Sequence, residues 1–201
     1  MEAEAHCKAG ASIWKFASTD AGVEPDVVLV GIGADLMFEV LAAAAYLRRL
    51  ALSLRTRIIN VTDLMVLGLE FSHPNSLSHE DFDILFTPEQ HIHFSYHGYA
   101  NELQGLLFGR PKLDRISIDC YREEGSTTTP FDMVIRNHAS RYHIAEMAIK
   151  GGSKHNEKFK VNMHLLLGQI RHDMVKAQEY IKAFGKGRCQ IALKLNYTWL
   201  T

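Results

Sequence analysis

The chain alternates between two kinds of hydrophobic pattern, and that alternation restricts the folds open to it. Short runs rich in β-branched and aromatic residues, Val27 to Ile32, Arg57 to Val61, His91 to Tyr96 and Arg115 to Cys120, read as strands. Longer stretches with helical spacing, Leu36 to Leu50, Ser78 to Phe86, Ala100 to Phe108 and Arg141 to Ile149, lie between and after them. Strands that alternate with helices are joined by crossovers, and crossovers make neighbouring strands parallel with helices on both faces. The pattern predicts a three-layer α/β sandwich with a mostly parallel sheet of about four to five strands. Asp35 is placed to cap the first helix, Ser78 with Asp81 reads as a capping box, and Ser140 is placed to cap the helix from Arg141. Gly109, Pro111, Gly151 and Gly152 mark stops.

A long C-terminal helix follows, over roughly residues 161–184. Met163, Leu167, Ile170, Met174, Ala177, Ile181 and Phe184 recur at alternating spacings of four and three. Such a seam needs a cover. Leu165, Leu166 and Val175 widen it beyond a coiled-coil stripe, which favours the chain's own layers over a second subunit. Residues 25–184 thus form the predicted domain, residues 1–24 read as a linker carrying Trp14 and Phe16, and residues 185–201 form a tail whose pattern selects no structure.

Composition removes several classes of function. With 47% apolar residues over 201 positions and a formal charge of -1, the chain can bury a full core and carries no bulk charge for nucleic acid. The start, MEAEAHCKAG, has no basic segment followed by an apolar one, and the most apolar window, Leu36 to Leu47, is interrupted by Glu39 and too short to span a bilayer. Cys7, Cys120 and Cys189 form no CxxC pair and leave an odd count, which suits a reducing compartment; a cytoplasmic location is the expectation.

Chemistry-bearing residues gather in a few places. In Tyr121 to Asn137, Thr129 is placed as a helix N-cap, Pro130 at the first helical position and Asp132 at the third. Ser126, Thr127 and Thr128 remain as surplus hydroxyls before a helix start, where amides favour anions, while Glu123, Glu124 and Asp132 oppose one. A well-capped turn is the favoured reading and a ligand loop the alternative. His91, His93 and His97 have a spacing that alone would suggest a zinc or iron site, with His91 and His93 on one face of a strand and His97 at its end; no fourth ligand is evident and Phe94 and Tyr96 alternate as the opposite face should, so no metal site is expected. Gly31 and Gly33 form a GxG whose third glycine position is Leu36, so a tight turn is preferred to a dinucleotide fingerprint. In a parallel sheet, the segments Gly31 to Asp35, Asn60 to Asp63, His97 to Tyr99 and Tyr121 to Asp132 all follow strands. They converge at the carboxyl edge, where α/β folds bind ligands.

Five motifs, HCKAGASIW (His6 to Trp14), PDVVLVGIG (Pro25 to Gly33), RIINVTDLM (Arg57 to Met65), HFSYHGY (His93 to Tyr99) and EEGSTTTPFDM (Glu123 to Met133), carry a resemblance to the phosphoketolases. In order and spacing the chain resembles the C-terminal domain of these thiamine-diphosphate enzymes, which is related to the transketolase C-terminal domain. The resemblance implies a carbon-carbon lyase that cleaves xylulose 5-phosphate, and fructose 6-phosphate, with phosphate to acetyl phosphate and an aldose phosphate. It also implies thiamine diphosphate with magnesium or calcium in domains N-terminal to this one, a homodimer, and a domain that stabilises the dimer and borders the active-site entrance. The chain itself has no GDG motif to hold a metal-bound diphosphate, so it is expected to be catalytically silent. No catalytic residue is assigned; His97, Tyr99, Glu123, Glu124, Ser126, Thr127 and Thr128 are the candidate ligand or interface loop, with Thr129, Pro130 and Asp132 as the structural cap. A regulatory phosphate- or nucleotide-binding domain and a His-based metal enzyme are the alternatives.

Overall fold

The sheet forms where the β-branched runs are densest. The computed structural model describes residues 2–123, 128–154 and 156–185. Strands β1 (Ala11–Ile13), β2 (Val27–Ile32), β3 (Thr56–Val61), β4 (His91–His97) and β5 (Ile116–Tyr121) pair in the order β1-β3-β2-β4-β5. The last four strands are mutually parallel, as the alternation predicts, and β1 runs antiparallel along β3. Helices α2 (Ala34–Leu50), α3 (His79–Phe86) and α4 (Ala100–Leu107) make the crossovers, after a short α1 (Glu2–Ala9). They are followed by α5 (Pro130–Arg136), α6 (Arg141–Gly152) and α7 (Glu157–Phe184).

Every residue of β2 is buried, the consequence of covering a parallel strand on both faces. Successive side chains point to opposite sides. Val27 and Leu29 pack with Val40, Leu47, Ala148 and Ile170 of α2, α6 and α7, while Val28 and Val30 pack with Phe82, Phe86, Leu103 and Leu107 of α3 and α4. The molecule is therefore the predicted three-layer α/β sandwich with a long C-terminal helix.

The helix starts depart from their sequence readings in instructive ways. The N-cap of α2 is Gly33, not Asp35. β2 must turn into α2 within one residue, and Gly33 does so at φ 92, where an added Cβ would lie 2.8 Å from the Cβ of His97. Asp35 is left in the first turn, where a carboxylate is still favourable. Ser78 does cap α3, accepting from the Asp81 amide at 3.0 Å and donating to its carboxylate at 2.7 Å. Ser140 occupies the cap position of α6, but its hydroxyl pairs with His143 Nδ1 at 2.8 Å. The Arg141 amide donates instead to Glu39 of α2 at 2.7 Å, and the guanidinium adds bonds of 2.9 and 2.6 Å to the same carboxylate. The charge that interrupts the apolar window of α2 is thus the clamp that fixes α6.

The seam of α7 is covered from within the chain. Leu167 and Ile170 pack on α2 and α6, and Ala177 and Ile181 pack on Phe131 and Ile135 of α5. Phe184, the last residue of the seam, is exposed, as are Leu165 and Val175, so only Leu166 of the widening residues joins the core. Ahead of Pro25, the segment read as a linker is sewn to β3. β1 pairs with it, the Trp14 and Thr19 amides donate to the carbonyls of Ile58 and Thr56 at 2.8 Å each, and Asp20 meets Arg57 in a buried ion pair at 2.9 Å. The tail from residue 186 lies outside the described residues.

Candidate functional site

Because β2, β3, β4 and β5 are parallel, their C-terminal ends lie along one edge, and the described parts of the four segments singled out in the sequence leave the sheet there. His97, the last residue of β4, is the centre of the arrangement. Its imidazole is half-buried between two carboxylates, with Nδ1 3.7 Å from Asp35 Oδ2 and Nε2 3.6 Å from Glu123 Oε1. The Tyr121 ring packs edge-on against it at 5.0 Å. Burial, with Glu123 and Asp35 nearby, pushes the Tyr121 phenol above its usual range. The following turn is braced by Glu102, whose carboxylate accepts from the Tyr96 phenol at 2.9 Å and the Tyr99 amide at 3.2 Å. The Tyr99 side chain stands exposed. Glu124, Ser126 and Thr127 lie outside the described residues.

At the far end of that loop the cap forms by half. The Thr129 hydroxyl accepts from the Asp132 amide at 3.2 Å, with Pro130 at the first helical position. The Asp132 carboxylate accepts from the Thr128 hydroxyl at 2.7 Å and from Arg136 Nε at 2.6 Å. Burial would push this carboxyl up, but Thr128 and Arg136, with Lys182 beyond them, outweigh it and hold it below the usual range. Thr128, Thr129, Arg136, Ile181 and Lys182 line an open cleft of about 620 Å³. Sequence reasoning missed Arg136 and Lys182, since only the fold brings α7 to this turn.

A second cleft, of about 470 Å³, opens on the β2–β3 part of the same edge and is apolar, lined by Trp14, Met37, Phe38, Leu41 and Leu64. Phe38 is 65% exposed. Its place off the buried Leu36, Val40, Ala43, Leu47 stripe was the available signal. Asn60 borders this cleft and bonds at 3.0 Å to Nε2 of His6, whose Nδ1 meets Ser12 Oγ at 2.5 Å. Asp63 is structural: hydrogen bonds from Asn75 and the Met65 amide hold its carboxyl below the usual range.

The three histidines of the HxHxxxH pattern do not act together. His91 and His93 point to the α6 face, where both bond to Ser117 Oγ, at 3.0 and 2.9 Å, while His97 sits at the edge. His93 is fully buried, and burial, with His91 beside it, pushes its pKa down to about 3. Asp119 lies 3.6 Å from His93 Nε2, and burial raises its carboxyl. Among the described residues no three His, Cys, Asp or Glu side chains gather as metal ligands.

Residues 1–193 match the family described as XFP C-terminal domain. Over 180 residues the chain is 49% identical to a probable phosphoketolase of Schizosaccharomyces pombe, a span covering 90% of this chain and 22% of that protein. A probable phosphoketolase of Mesorhizobium japonicum is 45% identical over 144 residues, 72% of this chain and 18% of that one. One from Chlorobaculum tepidum is 38% identical over 183 residues, 90% of this chain and 22% of that one. The chain spans about one fifth of the length of these relatives. Its motifs, its three-layer fold and this similarity agree: the chain belongs to the XFP C-terminal domain family.

Proposed function

We propose that this chain serves as the C-terminal, non-catalytic domain of a thiamine-diphosphate-dependent phosphoketolase. The parent enzyme cleaves xylulose 5-phosphate, and fructose 6-phosphate, with phosphate to acetyl phosphate and an aldose phosphate, as a cytoplasmic homodimer. The observation that carries this reading is the match along residues 1–193 to a family whose similar members are named probable phosphoketolases and are about four times longer. No helix among the described residues is long and apolar enough to cross a membrane.

The residues present do not fit the cofactor. A metal-bound diphosphate needs oxygen ligands around the ion, and the described residues offer no such cluster while the sequence carries no GDG. The chemistry therefore belongs to the other domains, which supply magnesium or calcium and thiamine diphosphate. In this reading the carboxyl edge of the sheet, with His97, Tyr99, Glu123 and Thr128, borders the active-site entrance. The apolar cleft around Trp14 and Phe38 supports a role in docking on the rest of the parent chain, since an exposed apolar surface beside polar groups suits a protein contact. The test is enzymatic. The purified chain is expected to form no acetyl phosphate from xylulose 5-phosphate and phosphate, with or without thiamine diphosphate and magnesium; turnover would overturn the non-catalytic reading.

A further inference from the structure

We propose that the cleft between the Thr128–Thr129 turn and the end of α7 binds the phosphate group of a small anionic molecule, through the Thr129 hydroxyl, the Arg136 guanidinium and the Lys182 ammonium. The cleft, at about 620 Å³, has the size of a small-molecule site. Its donors come from two elements remote in sequence, α5 with the turn before it and the last turn of α7.

Each donor has capacity to spare. The Thr129 oxygen accepts from the Asp132 amide, which leaves the hydroxyl proton free to donate. Arg136 commits Nε to Asp132, and among the described residues its Nη groups have no partner. The Lys182 ammonium likewise has no hydrogen-bond or ion-pair partner among the described residues. A guanidinium edge and a point charge beside a hydroxyl are the donor types that phosphate oxygens take, and hydrogen bonds between charged partners are the stronger ones.

Of the acidic residues that weigh against an anion in the sequence, Glu124 lies outside the described residues and the other two are engaged in the fold. Glu123 turns to His97 at 3.6 Å. Asp132 does line the cleft, but its residue is 9% exposed and its charge is met by Arg136 and the Thr128 hydroxyl. Lys182 then leaves the cleft with an excess positive charge. Two cations in a cleft suit a small ligand; a polyanion is drawn by bulk positive charge, which a chain of net charge -1 does not carry.

Calorimetric titration of the 201-residue chain with inorganic phosphate, sulfate, AMP and adenosine tests the site. Binding of phosphate and sulfate identifies a free oxyanion as sufficient, and binding of AMP without them identifies a phosphorylated molecule whose remainder also contributes; either supports the site provided adenosine is silent. Lys182→Gln and Arg136→Gln should each weaken binding about tenfold. The Lys182 variant should keep its melting temperature closely, because that exposed side chain makes no hydrogen bond or ion pair in the described fold and acts on Asp132 only at a distance, so its loss of binding cannot be ascribed to unfolding. No heat from phosphate or AMP up to roughly 10 mM, equal binding of adenosine, or unchanged affinity in both variants overturns the proposal. The inference is independent of the role proposed for the parent enzyme: a chain that binds no phosphate still belongs to its family, and one that turns over sugar phosphate still tests this cleft by the two variants.

Discussion

Acid should loosen this domain through His93. Its imidazole is wholly enclosed between β4, β5 and α6, with Ser117 on Nδ1 and Asp119 at 3.6 Å from Nε2. Burial holds its pKa at about 3, against 6.5 for a free histidine. Below pH 6.5 the unfolded chain binds a proton that the folded chain refuses, so stability is full above that value and falls as pH drops toward 3. The slope is about 1.4 kcal/mol per pH unit, which amounts to ~2 kcal/mol at about pH 5. For a domain of this size that is roughly 4–8 °C in melting temperature. His93→Asn keeps a polar atom toward Ser117 and cannot take up the proton. Denaturant unfolding of both proteins at about pH 7.5 and about pH 5 should therefore show a smaller acid loss in the variant, by ~2 kcal/mol. Any constant effect of the substitution cancels in that difference. Equal losses in the two proteins would refute the argument and mean that His93 is protonated in place, with Asp119 as its counter-ion.

Two other substitutions probe the clamps. Thr129→Ala should lower stability by about 0.5–2 kcal/mol in denaturant unfolding, because it removes the acceptor for the Asp132 amide; no change would reduce the turn to an uncapped start. Glu39→Ala should cost about 3–5 kcal/mol by calorimetry, since it removes the carboxylate paired with a mostly buried Arg141 and bonded to the first amide of α6; a loss under about 1 kcal/mol would show that Arg141 escapes to solvent.

The sheet was legible because period and residue type agreed: β2, β3, β4 and β5 lie within a residue or so of their sequence ranges, and their parallel pairing followed from the helices between them. Caps were less legible. Asp35 and Ser140 have the right chemistry at the right places, yet Gly33 and Glu39 do the work, one through a close approach to His97 and the other from a helix about a hundred positions away. Local rules do not contain such partners. The same holds for the phosphate cleft, whose Thr129 was visible and whose Lys182 was not; the split of His91 and His93 on the sheet face from His97 at the strand end, by contrast, followed from strand alternation. Phe38 was overlooked for a different reason: it lies off the buried stripe of α2 and lines the apolar cleft, but the helix was read only for the face it buries.

The antiparallel pairing of β1 bears on how such a domain can be detached or transplanted. Composition invites a cut at Pro25, just ahead of β2. A cut there would remove β1, the Asp20 partner of Arg57 and the Trp14 ring together. β3 would become the outermost strand, with Ile59 and Val61 flanking a row of unpaired amides and carbonyls, the surface along which folded chains add to one another. The unit that travels as one piece therefore begins at or before residue 11, and the motif His6 to Trp14 belongs to the body of the domain as the selvedge of its sheet.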